Sequence, residues 1–298
     1  MIQLSLLVED CRKENELNME ELIERAAGDL ISSKYAIALT GAGMSTESGI
    51  SDFRGPSGIW TKNPEAESKA YQTYEKFLAD PRGYWQERLR APSILGDLGE
   101  VKPNHGHYAL AELERMGILK GIITQNIDDL HCKAGTQNIL EYHGNAFKVR
   151  CTNCSSRLYA DEYDLEGLER EGELPLCRNC GGLLKSDVVH FGEPIPLDVA
   201  HRSQEEAWTC DVMLICGTSA VVYPFAALPR IAREHRVERE RKADIGLYMV
   251  EKVSASTIVE INAEPTPLTY ENTSDYLIQG KTGEVLPKIV EKVKEVSR

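Results

Sequence analysis

Residues 36–60, AIALTGAGMSTESGISDFRGPSGIW, constrain this chain more than any other stretch. The apolar run at 36–39 is long enough for one buried strand and too short for a buried helix. Gly41-Ala42-Gly43 follows, two glycines around a small residue, where a chain turns sharply and backbone N–H groups come close to a ligand. A strand that turns through glycines toward a helix N-terminus makes a phosphate site, and dinucleotide-binding folds seat a pyrophosphate there. The full G-x-G-x-x-G pattern is broken at Thr46, so the glycines by themselves fit an ordinary tight turn as well. Ser45, Thr46, Glu47 and Ser48 have the hydroxyl and acidic character of a capped helix start. Asp52-Phe53-Arg54-Gly55-Pro56 and Gly58 then combine an acid, a base and an aromatic in a flexible segment, a composition that suits a flap over a ligand.

The rest of the chain places this stretch in an α/β fold. A helix is predicted from Asn18, with Met19, Leu22, Ile23, Ala26, Ala27, Leu30 and Ile31 at helical spacing. Residues 61–102 read as short helices carrying Tyr71, Tyr74, Phe77, Tyr84 and Trp85. A further helix is predicted from the N-cap Asn104 to Met116, stopped by Gly117, and a buried strand follows at 118–124. Strand, helix and strand in alternation argue for a parallel sheet, whose ligands lie outside the carboxyl ends of the strands. Those ends are polar or small. The run at 122–124 leads into Gln125-Asn126-Ile127-Asp128-Asp129, and the run at 139–142 into His143-Gly144-Asn145. The runs at 212–216 and 258–261 lead into Gly217-Thr218-Ser219 and Asn262-Ala263-Glu264. One such end is a turn; four, with the glycine loop, suggest a polar site along one sheet edge. An amphipathic helix is predicted at 284–296, and the charge run at 233–242 reads as a solvated helix face or loop.

Composition narrows the class. The 298 residues suffice for one large domain or two smaller ones, and 42% hydrophobic with 27% charged content is that of a soluble globular protein. No apolar run reaches bilayer-spanning length, so no membrane partner is expected. The apolar residues at 2–8 run straight into Glu9, Asp10 and Arg12, with no basic leader and no small-residue cleavage site, so a cytoplasmic location is expected. A net charge of −13 disfavours direct nucleic-acid binding. It suits either steering of basic protein partners or solubility alone.

Cysteine usage points to a metal. In a reducing compartment eight cysteines are metal ligands or buried thiols rather than disulfides. Cys151-x-x-Cys154 and Cys177-x-x-Cys180 form two knuckles separated by residues 155–176, slightly more than the roughly 15–20 residues of many zinc sites. Four thiolates complete a tetrahedron with no open position, so one structural zinc is expected, holding a module with little core of its own. A redox pair is the alternative. Cys216 reads as a small hydrophobe, and the adjacency of His131 and Cys132 does not by itself make a nucleophile.

In order along the chain, several motifs together resemble the sirtuin family over residues 28–290. They are Gly41-Ala42-Gly43-Met44-Ser45, Gly49-Ile50-Ser51-Asp52-Phe53-Arg54, Thr124-Gln125-Asn126-Ile127-Asp128, His143-Gly144, the four cysteines, Val189-His190-Phe191-Gly192-Glu193 and Gly217-Thr218-Ser219. The resemblance implies a Rossmann-like parallel sheet with helices on both faces, plus a small zinc-ribbon and helical module, with NAD and an acyl-lysine protein or peptide meeting between them. It implies NAD-dependent removal of acyl groups from lysine, yielding nicotinamide, lysine and 2′-O-acyl-ADP-ribose. His143 would be the general base. Gly41, Ala42, Gly43, Ser45, Gln125, Asn126, Ile127 and Asp128, with Asp52, Phe53, Arg54 and Trp60 of the flap, would contact NAD. Gly217, Thr218, Ser219, Asn262, Ala263, Glu264 and Thr282 would line its phosphate, ribose and adenine. Arg88, Val189, Phe191, Gly192 and Glu193 would meet the substrate, the peptide adding as a strand.

The chain divides accordingly into an expected flexible extension at 1–17, a Rossmann-like domain from 18–60, 103–145 and 190–298, a helical module at 61–102 and a zinc ribbon at 146–189. One departure bears on the acyl group. Sirtuins that prefer acidic acyl chains carry a Tyr-x-x-Arg pair, and the matching stretch here is Trp85-Gln86-Glu87-Arg88. Arg88 can pair with a carboxylate but the tyrosine hydroxyl is missing, so deacetylation is the first reading and desuccinylation the second. Protein ADP-ribosyl transfer uses the same bond cleavage, and a non-catalytic NAD-sensing module is a further alternative that His143 and Asn126 argue against. A dehydrogenase is disfavoured by Thr46 and by the cysteine cluster.

Overall fold

The computed structural model describes residues 17–55, 58–90, 95–234 and 256–296. The extension at 1–16, Pro56 of the flap and the charged run beyond Glu234 lie outside the described residues. Asn18 caps helix α1 (Met19–Ser32): its side chain accepts the N–H groups of Glu20 and Glu21, and Glu21 reaches back to the Asn18 N–H. Strand β1 (Ala36–Thr40) runs into two short 3-10 turns, Ala42–Met44 and Thr46–Ser48. Helices α2 (Ile59–Lys62), α3 (Pro64–Ala79) and α4 (Pro81–Arg90) follow. Helix α5 (His105–Arg115), capped by Asn104 as expected, leads through Gly117 to β2 (Leu119–Thr124), α6 (Leu130–Lys133) and β3 (Ile139–Glu141). An insert then carries β4 (Lys148–Cys151), β5 (Arg157–Tyr159), α7 (Leu165–Glu171) and β6 (Leu184–Ser186). The chain returns through α8 (Leu197–Thr209), β7 (Val212–Cys216), β8 (Thr257–Asn262), α9 (Pro267–Tyr270), β9 (Tyr276–Gln279) and α10 (Thr282–Val296).

Six strands form one parallel sheet in the order β3-β2-β1-β7-β8-β9. Every residue of β1 and β7 is buried, which is why they read as continuous apolar runs rather than alternating ones. Side chains still alternate between faces. Ala36 and Ala38 meet Ile23 and Leu30 of α1, Leu110 of α5 and Leu286 and Ile289 of α10. Ile37 and Leu39 meet Ala207 of α8, Phe225 and Leu228 on the other side. Small residues on the first face let three helices approach closely.

Register aligns the strand ends. Thr40 lies opposite Thr124 and Cys216, Thr124 opposite Glu141, and Cys216 opposite Ile261. The loops after β1, β2, β3, β7 and β8 therefore open on one edge. The insert forms an antiparallel β5-β4-β6 sheet. Its core is shared with the helical segment: Phe77, Tyr84 and Trp85 pack on Val149, Cys151, Cys177 and Leu184. The Trp85 indole N–H donates to the Leu184 carbonyl at 3.1 Å.

The α-helix expected to start after Gly43 is instead the pair of 3-10 turns, neither with a side-chain cap. Two contacts divert the chain. The Gly43 N–H donates to the Gly217 carbonyl, and the Ser45 hydroxyl, which would have capped a helix, donates to Asp128.

Candidate active site

The glycine loop is held by the loop after β7. Gly41 N–H donates to the Cys216 carbonyl at 3.2 Å, and Gly43 N–H to the Gly217 carbonyl at 2.8 Å. A Cβ on Gly41 would lie 2.6 Å from the Thr218 Cβ, and one on Gly217, where φ is +61°, would lie 2.2 Å from the Met44 nitrogen. Glycine at 217 lets two backbones touch, and glycine at 41 leaves room for the Thr218 side chain. Gln125 Nε2 donates to Thr218 Oγ1 at 2.7 Å, tying in the loop after β2. Asn262 Nδ2 reaches the Thr218 carbonyl at 3.3 Å and the buried Glu260 carboxylate at 3.2 Å, tying in the end of β8. Ser219, Ala263 and Glu264 are exposed beyond these contacts, and Gln279 Nε2 holds the Ala263 carbonyl at 3.0 Å. Thr282 is buried at the start of α10, and the next N–H, of Gly283, donates to Glu47 at 2.7 Å.

A second set of contacts fixes the middle of the edge. Asn126 Nδ2 donates to the Gly41 carbonyl and to Ser45 Oγ, each at 3.0 Å. Ser45 Oγ donates to Asp128 at 2.6 Å, and Asp128 also accepts the Leu130 N–H at 3.0 Å. Burial pushes the Asp128 carboxyl up, with these two donors opposing. The side-chain oxygen of Asn126, its amide nitrogen spent on Gly41 and Ser45, is the group left to meet a ligand. Ile127 contributes its carbonyl to the Ala146 N–H at 2.9 Å.

His143 follows β3 by two residues. Burial pushes its imidazole down to about 4, with a hydrogen bond to the Gln125 backbone opposing, so it is neutral at pH 7 and able to accept a proton. The next residue, Gly144, has φ +75°, and a Cβ there would lie 1.9 Å from the Asp187 carbonyl oxygen. Asp187 is buried and pairs with Arg150 at 2.9 Å and with Arg157. Glu141 pairs with Lys148 at 2.9 Å and Arg157 at 2.6 Å. These ion pairs lock the insert onto the sheet edge that carries His143.

The flap folds over an aromatic row. Phe53 and Trp60 lie 4.8 Å apart, Trp60 and Phe191 5.5 Å, and Phe191 stacks on Tyr71 at 4.3 Å. The Arg54 guanidinium sits 4.7 Å from the Trp60 ring. Asp52 turns inward on its own segment, accepting the Gly55 N–H at 3.0 Å. Flap and expected peptide segment thus touch through Trp60 and Phe191. Val189 donates its N–H to the His143 carbonyl at 2.9 Å, which brings that segment against His143; Gly192 is exposed, with φ +80°. Arg88 donates to the Ala146 carbonyl at 3.4 Å. Trp85, 4% exposed, belongs to the core of the insert and does not line the site.

Two groupings were not legible from motifs. His107 and His131 are buried with rings 4.9 Å apart behind the glycine loop; His131 Nε2 bonds Thr40 Oγ1 at 2.9 Å. His107 Nε2 and His131 Nδ1 have no hydrogen-bond partner among the described residues. Tyr84, His190, Lys185 and Glu193 gather under the peptide segment. The signal available for both was a histidine in an otherwise apolar or loop context, which by itself points nowhere.

The four cysteines come together. The Sγ atoms of Cys151, Cys154, Cys177 and Cys180 all lie within 4.8 Å of one another. Cys151 to Cys180 is 3.5 Å and Cys154 to Cys177 is 3.8 Å. Zinc–sulfur bonds of about 2.3 Å in a tetrahedron give sulfur–sulfur edges of about 3.8 Å, so the thiols fit a zinc ion. Asn153 and Cys154 N–H groups point at Cys151 Sγ at 3.4 and 3.5 Å, as a bound thiolate needs.

Known proteins resemble this chain in sequence and fold. The sequence profile of the Sir2 family matches residues 41–224. A relative from Pyrococcus furiosus, an NAD-dependent protein deacylase, is 46% identical over 270 residues, 90% of this chain and 97% of its own. An NAD-dependent protein deacetylase from Sulfurisphaera tokodaii is 41% identical over 90% of this chain and 94% of its own. The crystal structure of a Sir2 homologue–NAD complex superposes with a TM-score of 0.68 at 37% identity, covering 92% of this chain and 95% of that one.

Proposed function

The chain belongs to the Sir2 family, the sirtuins, and from that premise we propose that it is an NAD-dependent protein-lysine deacetylase. It consumes NAD and an acetyl-lysine protein and releases nicotinamide, lysine and 2′-O-acetyl-ADP-ribose. NAD supplies a ribose carbon that becomes electron-poor as its bond to nicotinamide breaks.

The protein's own residues position and deprotonate. The loops at Gly41–Ser45, Gly217–Ser219 and Asn262–Glu264, with Thr282, receive the dinucleotide along the polar sheet edge. Asn126 and Asp128, held by Ser45, face the nicotinamide and its ribose. Phe53 and Arg54 close over them and exclude water. Val189 to Gly192 receive the peptide as an added strand, delivering the acetyl oxygen in line with the reacting carbon. His143 takes the proton from a ribose hydroxyl. Cys151, Cys154, Cys177 and Cys180 would hold a zinc ion with four thiolates and leave it no open position, so its part would be to hold the insert together.

The observation that carries this reading is His143: a half-buried, neutral imidazole just past the strand end, its carbonyl accepting the N–H of Val189 in the peptide segment. Acetyl is favoured over succinyl because Trp85 is turned into the core, leaving Arg88 without a hydroxyl partner for a carboxylate. A cytoplasmic location suits a chain that gathers four cysteine thiols in a zinc-type cluster, which a reducing compartment keeps available to metal. A panel of acetyl-, succinyl- and longer acyl-lysine peptides with NAD tests the reading. Acetyl-lysine should turn over with nicotinamide release, and His143→Ala should lose about 10²–10⁴-fold in rate while still binding NAD. Turnover retained in that variant would refute the assignment of the base.

A further inference from the structure

Residues 188–193, which receive the peptide in the deacetylase reading, are gripped from three parts of the fold. From the sheet, the His143 carbonyl accepts the Val189 N–H at 2.9 Å. From the helical segment, Tyr84 Oη lies 2.9 Å from His190 Nε2. From the insert, Lys185 on β6 reaches under the segment with its ammonium. It donates to the carbonyls of Ser186 at 2.5 Å and Val188 at 2.7 Å, and pairs with the Glu193 carboxylate at 3.0 Å. Glu193 accepts the His190 N–H at 3.0 Å and returns its own N–H to the His190 carbonyl at 3.0 Å.

Lys185 is 4% exposed. Burying an ammonium is costly, and an apolar residue would fill the same space in β6. The ammonium does what no apolar residue can: its three protons meet three acceptors and fix one short stretch of backbone. Strand addition needs a receiving segment that is already held still, because ordering it on binding costs affinity.

We infer that Lys185 is a positioning residue for the substrate, holding residues 188–193 ready for an acyl-lysine peptide to add as a strand; this rests on the deacetylase reading. Tyr84 grips the same segment through the His190 ring.

The test uses the full zinc-loaded chain and compares Lys185→Met and Tyr84→Phe with wild type. Two readouts are taken: separate KM values for acetyl-peptide and NAD with kcat, and amide hydrogen exchange across 188–193. Lys185→Met should raise the peptide KM about tenfold or more, because it strands the Glu193 carboxylate and frees two carbonyls. The KM for NAD and kcat should stay within about twofold, and the Val189, His190 and Glu193 amides should exchange faster. Tyr84→Phe, which removes one hydroxyl and keeps the ring, should raise the peptide KM about threefold and serves if Lys185→Met fails to fold. Peptide and NAD KM rising together, or an unchanged peptide KM despite faster exchange, overturns the inference. Wild-type protein that deacylated no lysine peptide would overturn the deacetylase reading and the substrate role with it, while the exchange pattern would still report whether the grip exists.

Discussion

Gly43 and Gly217 meet backbone to backbone: the N–H of the first donates to the carbonyl of the second at 2.8 Å, and neither position has room for a Cβ. This contact joins the loops after the two central strands of the sheet and sets the floor on which a dinucleotide would rest.

Gly217→Ala should therefore cost both fold and cofactor. The φ of +61° strains any other residue by roughly 1–3 kcal/mol, and the new methyl must also push Met44 away. We expect a lower melting temperature and at least a tenfold weaker NAD affinity by calorimetry. An unchanged Kd would mean the two loops part without consequence.

Cys177→Ser should lose zinc and unfold the insert. Cys177 is 3% exposed and sits in the core shared with Phe77, Tyr84 and Trp85, so the helical segment should loosen too. Metal analysis and a thermal melt check this. Zinc at full occupancy with an unchanged melt would contradict a structural metal.

Acid should destabilise the fold before the carboxylates titrate. Burial pushes His107 down to about 4, with no partner on its Nε2 among the described residues, and burial together with His107 holds His131 well below its ordinary value. Between that folded value and 6.5, the unfolded imidazole is protonated and the folded one is not. Unfolding then takes up a proton, so stability falls as pH drops through this window and is complete above it. His107 by itself should cost roughly 2 kcal/mol at pH 5. Urea midpoints at pH 7.5, 6 and 5 measure the effect, and His107→Gln should flatten it. A midpoint constant over that range would show that the pair is not buried neutral.

Trp85→Tyr should gain no desuccinylase activity. The substitution recreates the spacing of a Tyr-x-x-Arg pair, but it does so inside the insert's core. It removes the indole that holds the Leu184 carbonyl and buries a hydroxyl, at about 1–3 kcal/mol of stability. Succinyl-lysine turnover above the wild-type level would place residue 85 against the acyl group instead.

The sheet and its polar edge were legible in the sequence because central parallel strands are buried on both faces. Their runs at 36–39 and 212–216 are uninterrupted, that at 258–261 is broken only by Glu260, and they give way to Thr40-Gly41, Gly217 and Asn262. Asn104 and Gly117 marked their helix for the same local reason, a cap and a left-handed stop. Strand β9 escaped notice because Tyr276–Gln279 is a short edge element lying among threonine, serine and aspartate. The insert's strands are three or four residues long and owe their core to Phe77, Tyr84 and Trp85, some seventy positions earlier, so no local pattern announces them. The helix read after Gly43 failed because Ser45 serves Asp128 rather than a helix N-terminus, a choice made by tertiary contact. No sequence pattern singles out Lys185; only the fold brings Glu193 and two carbonyls to it.

Glu47, in the turn just past the glycine loop, accepts the N–H of Gly283 at 2.7 Å, across 236 positions of chain. During synthesis every motif on the sheet edge emerges before α10 does. The turn must wait for that helix to dock, so its fastening is made only once residues 282–296 have left the ribosome. A nascent chain stalled or cleaved ahead of Gly283 would carry nearly the whole signature of the family and still lack the fastening that steadies its first loop.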